Sequence, residues 1–179
     1  MAGTLTVQTL QGPSSGANAN KLLIPSGQTL DVSSGTLVPS AGQVVQTQYA
    51  QLSTDTTYST TLVRTNVLSA SITPTSTTSK ILILYTFASI WKASSTVSTE
   101  GEWTIGKNGS QHIVVDGISP YTAEADRHST TVSGTYLDSP ATTSSITYDI
   151  SLKLASGSGG IRLNTEGGLS SITLMEIAQ

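Results

Sequence analysis

Two histidines, His112 and His128, are the only side chains whose ordinary pKa puts a change of charge near neutrality. His128 closes Glu124-Ala125-Asp126-Arg127-His128, which gathers acid, base and cation in one short stretch. Such a cluster could form an acid–base pair or hold a metal; the simpler reading is a solvated loop whose local ion pairs contribute little. His112 falls beside an Asn-Gly turn and reads as a surface or hydrogen-bonded histidine. Glycoside hydrolysis needs two carboxylates at a set separation. Glu100, Glu102, Asp116, Glu124, Asp126, Asp138 and Asp149 are available, and sequence spacing pairs none of them. The chain has no His-Glu-x-x-His, no Gly-x-x-x-x-Gly-Lys-Ser/Thr phosphate cradle and no EF-hand ligand series. We therefore expect no enzyme, no cofactor and no metal. A weaker chemical signal is aromatic. Trp91, Trp103 and Tyr121, with His128, are candidates for stacking on a glycan or filling a partner's pocket. The competing reading has both tryptophans capping a core.

Those side chains must be held by strands. Only 11% of the 179 residues are charged and 36% are hydrophobic, whereas an ordinary soluble domain is about a quarter charged. Serine and threonine fill the difference, interleaved with Val, Ile, Leu and Tyr, which suits a pleated, half-buried surface. The net charge of −3 is too small for a charge-extended disordered chain, and eight scattered Lys and Arg do not make a nucleic-acid face. There is no cysteine, so packing and association must supply durability. No apolar stretch approaches a membrane span, and Met1-Ala2-Gly3-Thr4-Leu5-Thr6 lacks the features of a secretory signal, so a protein made without export is expected.

Charge divides the chain near residue 43, because Lys21 and Asp31 are the only charged residues before Asp55. In this first segment Ile24-Pro25-Ser26-Gly27-Gln28-Thr29-Leu30 is echoed by Val38-Pro39-Ser40-Ala41-Gly42-Gln43-Val44. Each unit reads as a short extended piece bounded by a turn, since Pro fixes φ and the glycine permits reversal. Two such units are too few to bury themselves. Three chains could bury them jointly, with Leu5, Val7, Leu22, Ile24 and Leu30 in a shared seam.

Beyond residue 43 the pattern is a succession of strands: 44–49, 67–73, 80–91, 103–106, 111–115, 130–137, 145–154, 160–164 and 170–177. The run at 80–91, Lys-Ile-Leu-Ile-Leu-Tyr-Thr-Phe-Ala-Ser-Ile-Trp, is long enough for a helix. Its isoleucines and aromatics favour a central strand covered on both faces. Asn108-Gly109 between apolar alternations predicts a two-residue hairpin, whose type I′ turn needs positive φ at both positions. Only 121–128 could form a helix, of one or two turns. The expected fold is all-β, an antiparallel jelly-roll sandwich at 44–179 preceded by an extended, β-rich arm at 1–43.

Gly3-Thr4-Leu5-Thr6-Val7-Gln8-Thr9-Leu10-Gln11-Gly12-Pro13 and Ser15-Gly16-Ala17-Asn18-Ala19-Asn20-Lys21-Leu22-Leu23-Ile24-Pro25 resemble a segment of tail-fibre and other virion proteins of aquatic bacteriophages. Ser69-Ala70-Ser71-Ile72-Thr73-Pro74, Ser79-Lys80-Ile81-Leu82-Ile83, Thr135-Tyr136-Leu137-Asp138, Tyr148-Asp149-Ile150 and Ser171-Ile172-Thr173-Leu174-Met175-Glu176-Ile177 are similar to the trimeric jelly-roll heads of the C1q and tumour-necrosis-factor type. The resemblance implies a homotrimer whose last strands lie near the threefold axis, with Tyr136, Tyr148, Leu174 and Ile177 in the core or between subunits. It further implies a virion location, attachment to other virion proteins through residues 1–43, and display to a host surface glycan or protein. The role implied is a tail fibre or host-adhesion knob. A capsid decoration or head fibre uses the same head, and a cellular C1q-like lectin or a depolymerase are the remaining alternatives.

Overall fold

The computed structural model describes residues 13–17, 19, 23–30, 38–58, 64–92, 99–115, 129–157 and 160–179. The chain forms two compact units, Met1–Val38 and Pro39–Gln179. Pro39 to Gln43 thus group with the second unit, and hydrogen bonds account for it. Gly42 N donates to Ala178 O at 2.8 Å and Ala178 N donates to Gln43 O at 2.9 Å, which ties this turn to the end of the last strand.

The echoed sequences make the same turn. Gln28 N donates to Pro25 O with Gly27 at φ 79°, and Gln43 N donates to Ser40 O with Gly42 at φ 86°. Both are type II turns, in which the third residue must adopt positive φ and glycine does so without steric cost. In the first unit the described residues include turns and no strand, and Leu23, Ile24 and Leu30 are exposed there.

Among the described residues the second unit has ten strands and no α-helix: β1 (Val44–Leu52), β2 (Thr56–Tyr58), β3 (Thr65–Ile72), β4 (Lys80–Lys92), β5 (Thr99–Lys107), β6 (Ser110–Val115), β7 (Ser129–Asp138), β8 (Ile146–Gly157), β9 (Ile161–Leu163) and β10 (Ser170–Ile177). One sheet runs β1-β10-β4, with β7 on the other side of β4 and β9-β2 beside its far end; the second runs β3-β8-β5-β6. All pairings are antiparallel, and the chain passes repeatedly from one sheet to the other, which makes a jelly-roll-like sandwich. Each expected strand is present. The hairpin between β5 and β6 turns on Asn108 at φ 52° and Gly109 at φ 79°, the two positive values anticipated. Its tip is clamped to β8, since Asn108 N donates to Thr147 O and Thr147 N donates to Asn108 Oδ1.

Strict alternation places the core. Ile81, Ile83, Tyr85 and Phe87 of β4 and Ile172 and Leu174 of β10 face Trp103 and Ile105 of β5 and Tyr148, Ile150 and Leu152 of β8. Phe87 and Trp103 stack across the sandwich with centroids 4.4 Å apart.

Three neighbouring strands break at one level. The path of β1 and β2 is interrupted at residues 53–55, that of β9 and β10 at 164–169, and β4 changes register between Phe87 and Ile90, with Ser89 at φ 48°. Buried Asn164, itself at φ 57°, closes the gap. Its N donates to Ala88 O, its Nδ2 donates to Thr54 O, and its Oδ1 accepts from Ser170 Oγ at 2.6 Å. The ladder bonds lost at the break are replaced by the backbone and side chain of this one residue.

Candidate functional site

The sandwich offers three groupings of chemically capable residues: two buried carboxylates, the outer face of the β1-β10-β4-β7 sheet, and the outer face of the opposite sheet.

Asp138, at the end of β7, faces across to the second sheet. Lys107 Nζ of β5 donates to its Oδ2 at 2.7 Å, Tyr148 OH of β8 donates to the same oxygen at 2.5 Å, and His112 Nε2 of β6 lies 3.3 Å from Oδ1. Burial pushes this carboxyl up, and Lys107, Tyr148 and His112 more than reverse that, leaving it below the usual carboxylate range. Burial and the adjoining carboxylate together push the Tyr148 hydroxyl well up. His112 also meets Tyr136 edge to face. The cluster fastens the two sheets to each other, with its acid already matched by a cation and a phenol. Glu176 is 0% exposed, and among the described residues no ion pair reaches it. Ser79 Oγ, Thr75 N and Thr75 Oγ1 donate to Oε1, and Gln46 Nε2 donates to Oε2, all at 2.6–2.7 Å. Burial again raises its pKa, and these neutral donors outweigh burial, so the net shift is downward. Among the described residues no group of three or more His, Asp or Glu is placed to hold a metal ion, and no helix is long and apolar enough to cross a membrane.

The outer face of the first sheet has a different character. The residues that alternate with the core positions are Val44, Thr47, Tyr49 and Gln51 on β1, Ser171, Thr173, Met175 and Ile177 on β10, Lys80, Leu82, Leu84 and Thr86 on β4, and Ser133, Thr135 and Leu137 on β7. Register sets Thr47, Met175, Leu82 and Leu137 in one row across the four strands, with Tyr49, Thr173, Leu84 and Thr135 in the next. Leu137 is 47% exposed and Tyr49 54%, while Leu82, Leu84, Met175 and Ile177 are half-buried by one another. Lys80 is the only charge in the set. The run that begins at Lys80 reads as a strand covered on both faces; the core covers one, and the outer one stays in solvent.

On the opposite sheet, Asp149 and Ser151 of β8 point outward yet are nearly enclosed, Asp149 at 3% exposure. Arg64, just before β3, lays its Nη2 on Asp149 Oδ1 at 2.5 Å, and Ser151 Oγ donates to the same oxygen. The guanidinium fits because Gly106 of β5 has no Cβ; one placed there would collide with Arg64 Nη2 and both carboxylate oxygens. Beside this pair is a cavity of about 200 Å³ lined by Arg64, Asn66, Gly109, Asp149 and Ser151.

The residues singled out in sequence scatter. Trp103 is 1% exposed inside the core and stacked on Phe87, so its ring offers no face to a glycan; the core-capping reading is the right one for it. Trp91 is half-buried at the end of β4, paired in register with Ser129 and Arg162. Tyr121 and His128 lie outside the described residues, as do Leu5, Val7 and Leu22. Ile24 and Leu30 are exposed in the first unit. Of the head positions, Tyr148 and Leu174 are fully buried on the inward parity and belong to the core, not to a seam. Tyr136 is half-buried against that core, and Ile177 lies on the outer face. Leu82, Leu84, Leu137 and Met175 were missed as surface residues. The signal for Leu82 and Leu84 was present, because β4 is apolar at both parities and a single sandwich core can cover only one.

No family model and no curated protein matches the sequence. Among solved structures, the chain is similar to one in a structure of infectious bursal disease virus, Gx strain, at 12% identity and a TM-score of 0.37. The match covers 87% of this chain and 47% of that one, so this chain spans about half the length of its structural neighbour.

Proposed function

We propose that the protein is a non-enzymatic structural component of a bacteriophage particle, a homotrimeric fibre head or knob for host adhesion, anchored to other virion proteins through residues 1–43. The observation that carries this reading is the outer face of the β1-β10-β4-β7 sheet, which presents Leu82, Leu84, Leu137, Met175 and Ile177 and has a single charge, Lys80. Further copies of the same chain are the occupant this face suits best. Close to a threefold axis a side chain meets its own copies, so like charges would oppose one another there, and this face has only Lys80. Closure by three copies would also cover the sheet edge left open at β1. The resemblance to C1q-type heads, whose last strands lie near the threefold axis, agrees with Met175 and Ile177 of β10 facing outward here. A structural role is further supported by the pairing of several described carboxylates: Asp55, Glu102, Asp138 and Asp149 each face a cation, and Glu176 is saturated by neutral donors.

Sedimentation equilibrium tests the assembly. The expected result is a particle of three times the 18.5 kDa chain. Leu82→Lys should convert it to monomers that keep the β-sheet circular dichroism of the parent. A parent protein that sediments as a stable monomer overturns the proposal. Labelling of whole particles with antibody against the head then separates the sites on the virion: signal at the tail tip is the outcome expected of an adhesion knob, and signal over the capsid assigns the protein to capsid decoration instead.

A further inference from the structure

We propose that the cavity between Arg64, Asn66, Gly109, Asp149 and Ser151 is a binding site for the hydroxyl edge of a neutral monosaccharide unit. The site is independent of the assembly proposed above, and only its use on a particle rests on that reading. Four observations lead to the ligand class. First, the pocket is charged in its parts and neutral as a whole, since the Arg64 guanidinium is neutralised by Asp149 at 2.5 Å. An isolated anion would meet the carboxylate and an isolated cation the guanidinium, so neither is favoured. Second, the hydrogen-bonding capacity left over alternates in kind. Among the described residues the bonds to Asp149 engage Oδ1 only, leaving Oδ2 as an acceptor, and Asn66 has a free amide that both donates and accepts. The guanidinium keeps further N–H donors, and Ser151 Oγ, having donated its hydrogen to Asp149, can still accept. Sugar hydroxyls each donate and accept, so adjacent ones can satisfy a neighbouring acceptor and donor together. Third, among the described residues no aromatic or aliphatic side chain lines the cavity, and its volume of about 200 Å³ suits one ring approached by its polar edge rather than a stacked chain or an apolar peptide.

The fourth observation is that the site is built before any ligand arrives. Asp149 is held by Arg64, just before β3, and by Ser151 of its own strand, and the groove that seats Arg64 exists because residue 106 is glycine. A preformed polar site loses little side-chain freedom on binding. Gly109, at the tip of the hairpin, adds no side chain that would close the entrance. The pocket opens on the sheet opposite the apolar one, so it stays in solvent when copies meet through β1, β10, β4 and β7. Three such pockets on one head, repeated over a particle, would turn weak single contacts into firm attachment.

The test uses the full chain, isotopically labelled, and follows the Asn66 side-chain amide, the Gly109 amide and the Arg64 Nε–H by NMR. The probes are D-galactose, D-glucose and N-acetyl-D-glucosamine, with inorganic phosphate as the anion arm. The expected result is a saturable shift of all three signals by at least one sugar, with a millimolar Kd. Asn66→Ala, at an exposed position, should weaken that binding about ten-fold, the value of one hydrogen bond, while leaving the melting temperature and the sedimentation behaviour unchanged. Asp149→Asn is the complementary variant and should abolish binding. Because it breaks an enclosed ion pair, it is scored only alongside Asn66→Ala. The proposal is overturned if none of the three sugars moves these signals, if phosphate moves them and the sugars do not, or if Asn66→Ala binds like the parent. Loss of sedimentation as a trimer with sugar binding intact would reject the assembly and leave this site standing.

Discussion

Glu176 shows how a charge can be kept inside this sandwich without a counter-ion. A buried carboxylate is costly unless it is hydrogen-bonded, and here four donors from β1 and the connection before β4 converge on two oxygens. Its lowered pKa has a definite sign for stability. Between the ordinary carboxyl value of about 4 and the lower folded value, the unfolded chain takes up a proton that the folded chain refuses, so stability falls as pH falls. Asp138 acts in the same direction. The melting temperature should therefore be level above about pH 5 and drop steeply below about pH 4. In Glu176→Gln the acid-side slope should be shallower and the neutral-pH stability lower. Glu176→Ala leaves several buried donors unmatched and should cost about 3 kcal/mol in chemical denaturation. None of this was visible in the sequence, where Glu176 reads as one more polar residue in an alternating strand. Its parity was legible; its partners, about a hundred residues away in Thr75 and Ser79, were not. The same holds for Arg64 and Asp149, separated by 85 positions.

At the scale of elements, the strands were legible because period-two alternation and turn chemistry act locally. The Asn108-Gly109 hairpin is the clearest case: sequence demands two positive φ values and the chain supplies both. What alternation does not encode is the level at which β1, β4 and β10 break together. That break depends on Asn164, whose bonds reach Thr54, Ala88 and Ser170 on three different paths. Asparagine suits the position twice over, tolerating the left-handed conformation and supplying both a donor and an acceptor. Asn164→Ala should cost about 3 kcal/mol, from the lost bonds together with the strained φ. Asn164→Gly should cost about 1 kcal/mol less, since glycine adopts that φ freely. Urea titration of the two variants separates the side-chain contribution from the backbone one. The expectation that β4 would be covered on both faces failed within a single chain for a countable reason: the second sheet shields Ile81, Ile83 and Phe87, and nothing else in the described head reaches Leu82 and Leu84.

At the scale of the molecule, the two outer faces divide the labour. One is rich in Leu, Met and Ile with Lys80 as its single charge, the other polar with paired charges at Arg64–Asp149 and Glu102–Lys153. Assembly through the first face predicts an association constant that hardly changes between low and high salt, because no ion pair is available there to be screened; sedimentation at several ionic strengths reads it directly. Sugar binding on the polar face should likewise survive salt, the ligand being uncharged. Finally, the turn at Gly42–Gln43 and the end of β10 at Ala178 exchange a pair of backbone hydrogen bonds, so the head begins and finishes at one place. A short peptide joining Gln179 to Pro39 would stitch the head into a ring, which could then be cut between exposed Thr143 and Ser144. Such a circular permutant offers a way to graft cargo at a new pair of ends while the sandwich keeps its wiring in space.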